Sequence, residues 1–175
     1  MTRAALELRE GGDADEAAIV ELLRASLGEG QIPRTAEFFR WKHREGPFGP
    51  SPCRVALAGE RLVGVRLFLR WRFRDGDRVV EAVRAVDTAT HPEFQGQGIF
   101  SKLTLGLVAD ETARGTGFVF NTPNEKSRPG YLKMGWESLG RITLWVRPGP
   151  GAVREGAARL LGRLGAGGAP PGGAT

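Results

Sequence analysis

The sequence predicts an α/β domain built on a mixed sheet of six or seven strands, flanked by about four helices. Three observations carry that expectation. Turn signals at Gly59-Glu60 and Asp75-Gly76-Asp77 separate three strand-like stretches between residues 53 and 90, as in an antiparallel meander. A glycine turn at 95–98 joins the last of these to a segment of helical period. That helix leads to a short apolar stretch, Phe118–Asn121, which the crossing returns to the sheet as a parallel strand.

The elements come in order along the chain. Residues 5–10, ALELRE, form a first strand. The stretch 11–30 reads as a helix. Asp13 caps it, Glu16 stands three residues on at capping-box spacing, Ile19, Leu22, Leu23 and Leu27 share one face, and Gly28 stops it. Residues 35–45 make a shorter helix capped by Thr35. GPFGPSP, 46–52, is a loop, and CRVALA, 53–58, is a strand.

Residues 63–73 alternate. Val63, Val65, Leu67, Leu69, Trp71 and Phe73 point one way, while Arg66, Arg70, Arg72 and Arg74 point to a solvated face. That face could steer an acidic acceptor. After the hairpin, 78–90 returns as the next strand. Ile99, Leu103 and Leu107 recur at helical spacing, and SRPGYLKMG, 127–135, is a short helix with Ser127 as cap, Pro129 in its first turn and Gly135 at its end. WESLGRITLWVR, 136–147, is a last strand. Residues 148–175 hold nine of the 26 glycines and read as a brief helix near 152–164 followed by a disordered tail, so the domain is drawn at 1–147.

Composition narrows the function classes. At 175 residues, with 41% hydrophobic and 26% charged residues, the chain suits one soluble domain. No apolar run has the length of a membrane span, and the first residues lack a signal peptide's apolar stretch, so a cytoplasmic location is expected. One cysteine, Cys53, and two histidines, His43 and His91, make no metal-ligand cluster and no internal disulfide. Cys53 reads as a small strand or loop residue. The net charge of +5 is carried by 21 arginines and 4 lysines spread along the chain, without a dense basic run, so neither nucleic acid nor membrane is an expected partner.

The turn Gln95-Gly96-Gln97-Gly98-Ile99-Phe100-Ser101 lies between a strand and a helix. Free backbone N–H groups and the helix dipole make such a start an anion site, and glycine lets a pyrophosphate approach the main chain. A dinucleotide fingerprint would sit early in a repeating β-α-β chain, and a P-loop needs a different spacing. A turn that serves strand-to-helix geometry alone is the other reading. After the next strand, Asn124 stands seven residues before Tyr131, which opens Y-L-K-M-G-W.

The two motifs together resemble the GNAT acetyltransferase superfamily, with its Q/R-x-x-G-x-G/A turn and its later Asn and Tyr-x-Lys-x-Gly-aromatic segment. Thr90-His91-Pro92 and the segment from Pro123 to Trp136 resemble one branch of it in particular. The resemblance covers about residues 5–146. Phe100 departs from the usual small residue. Its side chain must turn toward the core to leave the phosphate room. The family usually ends in a strand hairpin, and only one strand follows here.

The resemblance implies the GNAT fold, acetyl-CoA as co-substrate without a metal, and a small-molecule primary amine as acceptor; a homodimer is left open. It places the pyrophosphate on Gln95, Gly96, Gln97, Gly98, Ile99, Phe100 and Ser101, and the pantetheine arm along Thr88, Ala89 and Thr90 as an added strand. A backbone N–H there polarises the thioester carbonyl. Tyr131 is the implied proton donor to the leaving thiolate, and it is the chain's only tyrosine. Asn124 fixes the pantetheine or the splayed strand, or simply shapes a turn. Asp87, Glu81 and His91 are candidates for the base, Asp87 first, against a plain ion pair with an arginine. Phe38, Phe39 and Trp41 lie where the family builds its acceptor pocket, and helical spacing assigns at least two of them to the core. A domain that has lost turnover is the alternative.

Overall fold

The computed structural model describes residues 5–28, 34–125 and 127–140, the Leu27 side chain excepted. Contacts divide the chain into two units, Met1–Glu137 and Ser138–Thr175, and the sheet and its helices belong to the first. The strands are β1 (Leu6–Glu10), β2 (Cys53–Ala58), β3 (Arg61–Asp75), β4 (Arg78–Thr90) and β5 (Phe118–Phe120). The helices are α1 (Glu16–Leu27), α2 (Ala36–His43), α3 (Ile99–Ala113) and α4 (Arg128–Lys133).

The sheet order is β1-β2-β3-β4-β5, antiparallel except for the parallel pair β4–β5. Through α4 this is the expected chain of elements. Residues 136–140 carry no strand, and residues 141–147, the drawn boundary and the tail at 148–175 lie outside the described residues.

Each face of the sheet has its own core. Cys53 and Val55 of β2, Val65 and Leu67 of β3 and Ala89 of β4 pack under Ile19, Val20, Leu22, Leu23 and Phe39 of α1 and α2. Ala56 and Val63, and then Phe68, Val83 and Ala85, pack under Ile99, Leu103 and Leu107 of α3, with Tyr131 of α4 beside them. The face expected to be solvated is therefore covered at its Arg66 end, while Arg72 and Arg74 are exposed as expected. Arg66 on that face is fully buried. Alternation separates Val65 and Leu67 from Arg66 as expected, but Val63 packs on the α3 side with Ile99 and Leu103, Trp71 and Phe73 are exposed, and a charged residue on the second face does not make that face wet.

Arg70 and Arg72 of that strand are engaged as well. Arg70 bonds Glu111 and the Pro50 carbonyl, and Arg72 bonds Glu81. Glu111 of α3 is itself fully buried and receives Arg70, Arg114 and Thr116. These pairings leave little of the expected steering face.

Caps differ in detail. Asp13 does not cap α1. A 3-10 turn, Asp13–Asp15, precedes the helix, and the Asp15 carboxylate reaches back to the Gly12 N–H at 2.8 Å while Arg9 holds both its oxygens. Asp13 instead pairs with Arg44. Thr35 caps α2 as expected, its hydroxyl accepting the Phe38 N–H at 3.1 Å. Ser127 precedes α4, yet its hydroxyl donates to Asn124 and takes no helix N–H.

Two irregularities shape the sheet. Val63 is an extra residue of β3 against β2, between the pairs Ala56↔Gly64 and Leu57↔Leu62. Val86 and Asp87 of β4 together face Leu67 of β3, between the pairs Arg66↔Thr88 and Phe68↔Ala85. Beside the first bulge, Gly64 lets α3 sit close. A methyl group there would lie 2.5 Å from Ile99 Cγ2 and 3.1 Å from the Ala56 methyl. Gly64→Ala is expected to overpack this contact and cost about 1–3 kcal/mol, read as a lower urea midpoint at unchanged m-value.

Candidate active site

The glycine turn follows β4 through a 3-10 turn, Pro92–Phe94, which the His91 ring caps by accepting the Glu93 N–H. Gly96 and Gly98 both take φ of 74°, a left-handed conformation that side chains rarely adopt. Gly98 is the N-cap residue of α3, so the first amides of that helix face outward without a side-chain cap. The turn opens on a cavity of about 270 Å³ lined by Thr90, Phe94, Gln95, Gly96, Gly98, Ile99 and Phe100.

The edge of β4 leads away from this cavity. Its parallel pairing with β5 spans only Ala82, Val83 and Arg84. Among the described residues, Ala85–Thr90 has no strand on that side. Tyr131 is buried at the start of this free edge, in the cluster that holds Val83 and Ala85. Its ring meets Phe100 edge-on at 5.4 Å and Trp136 at 4.8 Å. Phe100 thus turns toward the core, as its place in the turn requires.

The Tyr131 hydroxyl accepts a 2.6 Å hydrogen bond from Arg66, whose other fork nitrogen donates to the Val86 carbonyl at 3.1 Å. Burial pushes the Arg66 guanidinium below its ordinary pKa, and the Tyr131 oxygen and the Asp87 charge oppose that shift. On the other face of the sheet Asp87 meets α2. Its Oδ2 accepts from Lys42 Nζ at 2.7 Å and lies 2.8 Å from His43 Nε2. Burial alone would raise the Asp87 pKa. The bond from His43 and the charge and bond of Lys42 outweigh it and hold the carboxyl well below the usual range. His43 is buried, and desolvation lowers its pKa despite the Asp87 contact. A carboxylate only accepts, so the neutral ring carries its hydrogen on Nε2, and Nδ1 takes the Ser51 hydroxyl at 2.9 Å.

The family profile for the acetyltransferase (GNAT) domain matches residues 7–139. The chain belongs to the GNAT acetyltransferase family. Among curated proteins none matches it. Solved structures of similar fold include an acetyltransferase of Trypanosoma brucei, at 21% identity and TM-score 0.62, covering 82% of this chain and 100% of that one. The acetyltransferase AAC(6')-Iy, solved with a CoA-acetylneamine bisubstrate analogue, aligns at 13% identity and TM-score 0.67, over 82% of this chain and 99% of that one. Glucosamine-6-phosphate N-acetyltransferase of Arabidopsis thaliana aligns at 14% identity and TM-score 0.63, with the same coverage. The five described strands and four helices form the GNAT fold, with two faces covered and the β4–β5 pair open at one end.

Within this GNAT domain the structure groups most of the sequence-derived site residues. Thr88, Ala89, Thr90 and the turn from Gln95 to Ser101 follow one another along the free edge and into the cavity, with Tyr131 at the other end. Asn124 shapes the turn into α4: its Oδ1 accepts from the Ser127 amide and hydroxyl, and its carbonyl takes the Arg128 N–H. Asp87 lies in the bulge and pairs with a lysine and a histidine, not with an arginine. Glu81 is six residues, roughly 20 Å, further along β4 and bonds Arg72. His91 Nε2 lies 2.6 Å from Arg61.

Of the three aromatics on α2 only Phe39 joins the core. Trp41 is 62% exposed, and Phe38 borders a cavity of about 30 Å³ with Lys42, His43 and Asp87. Burial drives the Cys53 thiol up to about 12, which makes it inert. Among the described residues no group of His, Cys, Asp or Glu is arranged to hold a metal, and no helix is long and apolar enough to cross a membrane. Sequence reasoning missed Lys42 and Ser51, put Arg66 on a solvated face and gave His43 no place in the site. The one available signal was an arginine in the most apolar part of β3.

The His43 environment has a consequence for pH. Its folded pKa lies below that of the unfolded chain, so its contribution to stability is present above about pH 6.5 and is lost as pH falls toward the folded value. Asp87 works in the same sense at lower pH, below the ordinary carboxylate range. Urea midpoints measured from pH 7.5 to 5 are expected to fall with acidification in the wild type, and less steeply in His43→Gln. Equal slopes would show that His43 does not titrate with folding.

Proposed function

We propose that this chain transfers an acetyl group from acetyl-CoA to a primary amine of a small molecule, an amino sugar, polyamine or amino-acid-like compound, by direct attack. The observation that carries this reading is the free edge of β4. It begins at Ala85, beside Tyr131, and ends at Thr90, beside the glycine turn, a span of roughly 16 Å. An extended arm with peptide-like amides can add to such an edge as a strand. The turn amides from Gln97 to Ser101 then receive the pyrophosphate. A backbone N–H among Thr88–Thr90 polarises the thioester carbonyl.

Tyr131 protonates the departing thiolate, and Asn124 keeps α4, and with it Tyr131, in place. Asp87, expected from sequence as the base, is held too acidic to be an effective one. Its role is a fixed negative charge that favours a cationic acceptor, and the amine's proton leaves through water. Amino sugars are the first acceptors to test, because two similar structures are named as acetyltransferases of aminoglycosides and of glucosamine 6-phosphate.

A CoA-binding domain without turnover is the second reading. The observation favouring it is Phe100, which lines the turn's cavity where a small residue is usual. Its packing against Tyr131 leaves its amide usable and favours the first reading.

Two measurements test the proposal. CoA at about 100 times its dissociation constant is expected to stabilise the folded chain by roughly 2.7 kcal/mol, a rise in Tm of roughly 5–10 °C. Gly98→Val is expected to abolish the rise, with its melting temperature without ligand as the control for the strain of a side chain at φ of 74°, and NAD gives none. A wild-type Tm indifferent to millimolar CoA would sink the reading. Separately, Tyr131→Phe is expected to leave acetyl-CoA affinity nearly unchanged and lower turnover on the order of 10²-fold. Unchanged turnover, measured with an amine panel, removes Tyr131 from the mechanism.

A further inference from the structure

We infer that Arg66 is a positioning residue for acetyl transfer, fixing the Tyr131 hydroxyl so that its hydrogen faces the leaving sulfur and keeping a positive charge beside it. This role rests on the proposed acetyl transfer.

Arg66 is fully buried. Its hydrogen bonds go to neutral oxygens only, the Val86 carbonyl and the Tyr131 phenol, and among the described residues its Nε has no partner. Three rings frame it, with the guanidinium carbon 5.1 Å from the centre of Phe68, 5.7 Å from Phe100 and 5.5 Å from Tyr131. A cation in an apolar core ordinarily has a carboxylate against it. The one carboxylate that acts on it, Asp87, does so through space and is already bonded by Lys42 and His43. Packing alone gives no reason for a charge here, since an apolar chain of similar length would fill the same space.

Hydrogen-bond direction supplies the reason. A guanidinium has donors and no acceptor, so the 2.6 Å contact runs from Arg66 to the phenol oxygen. The phenolic hydrogen takes no part in it and is left for another acceptor. The Val86 carbonyl anchors the other arm of the fork, which fixes the guanidinium plane and with it the direction from which Tyr131 is held. Val86 sits in the bulge at the head of the free β4 edge, so the anchor and the proposed thioester path share one stretch of backbone.

In the transfer step the neutral amine nitrogen attacks the thioester carbon, forming C–N and placing the carbonyl electron pair on oxygen. The C=O bond reforms and C–S breaks with its pair on sulfur. Tyr131 passes its proton to that sulfur, giving the free thiol. The phenolate left behind sits against the Arg66 charge until it recovers the proton that the amine nitrogen has released to water. The products are the amide and CoA thiol. Fixed positive charge placed where negative charge develops lowers such a barrier.

The test uses Arg66→Met and Arg66→Lys beside Tyr131→Phe in the full-length chain. Methionine removes the charge and keeps much of the volume, a kind of exchange that folding tolerates. The expected result for Arg66→Met is a fall in kcat on the order of 10²-fold, with KM for acetyl-CoA within roughly twofold. Arg66→Lys, which keeps a charge but not the two-armed anchor, recovers part of it. In the double variant with Tyr131→Phe, the added loss is expected to be within about twofold, because both changes remove the same function. Multiplying losses would show that Arg66 acts apart from Tyr131 and overturn the assignment, as would an Arg66→Met enzyme with full kcat.

Because Tyr131 is the only tyrosine, tyrosine labelled at Cζ gives one carbon resonance. It is expected to move in Arg66→Lys, a readout that remains if Arg66→Met does not fold. A resonance that stays in place overturns the contact itself. A wild-type protein that neither binds CoA nor transfers acetyl overturns the proposed function and this inference together. One that does both while the Arg66 variants keep wild-type kcat overturns the inference alone.

Discussion

Opposite Leu67, β4 carries two residues where a regular ladder carries one, and the rest of the site depends on that extra residue. In an unbroken strand Ala85 and Ala89, four apart, would face the same way. Here Ala85 lies under α3 and Ala89 under α1. The bulge turns Asp87 toward α2, presents the Val86 carbonyl to Arg66 and bends the strand. Pairing with β5 stops at Arg84, just before the distortion, which leaves the β4 edge free toward the glycine turn. One inserted residue thus separates the two faces' chemistry and opens the gap between two strands.

The described core buries three ionisable side chains fully, and each is accommodated differently. Glu111 receives two arginines and a threonine, so its charge is answered in kind. His43 sheds its charge and acts as a neutral bridge between Ser51 and Asp87. Arg66 keeps company with ring faces and uncharged oxygens. Ring quadrupoles contribute on the order of 0.5–2 kcal/mol each, well short of what removing an ion from water costs. The arrangement is tolerable in a stable core but is not one that stability alone would select.

Legibility in the sequence tracks the range of the interaction. The hairpin at Gly76, the Thr35 cap, the stop at Gly28 and the glycine turn are local, and each is readable within a few residues. The family resemblance adds the distant pairing of the turn with Tyr131. What stays hidden needs partners far along the chain. Arg66 meets Tyr131 across 65 positions, and Lys42 and His43 meet Asp87 across 45 and 44. Alternation divides a strand into two faces but does not say which face a helix will cover. The Asp13 cap fails for a subtler reason, because the turn starts one residue earlier, at Gly12, whose N–H the Asp15 carboxylate takes while also answering Arg9.

The sheet's spatial order repeats its chain order, and this bears on how the molecule assembles. β2, β3 and β4 are joined by two-residue turns and close at little entropic cost. β1 reaches β2 only across the 42 residues between Glu10 and Cys53, and β5 reaches β4 across the 27 between Thr90 and Phe118. Loop closure of that length must be met before any contact repays it. The meander is therefore expected to form first, with the outer strands and helices condensing on it. Tyr131 rides on α4, after β5, so on this order Arg66 meets Phe100 of α3 before its hydrogen-bond acceptor on α4 is in place. Its full desolvation is expected to wait for the docking of α4, when the hydroxyl that receives it arrives.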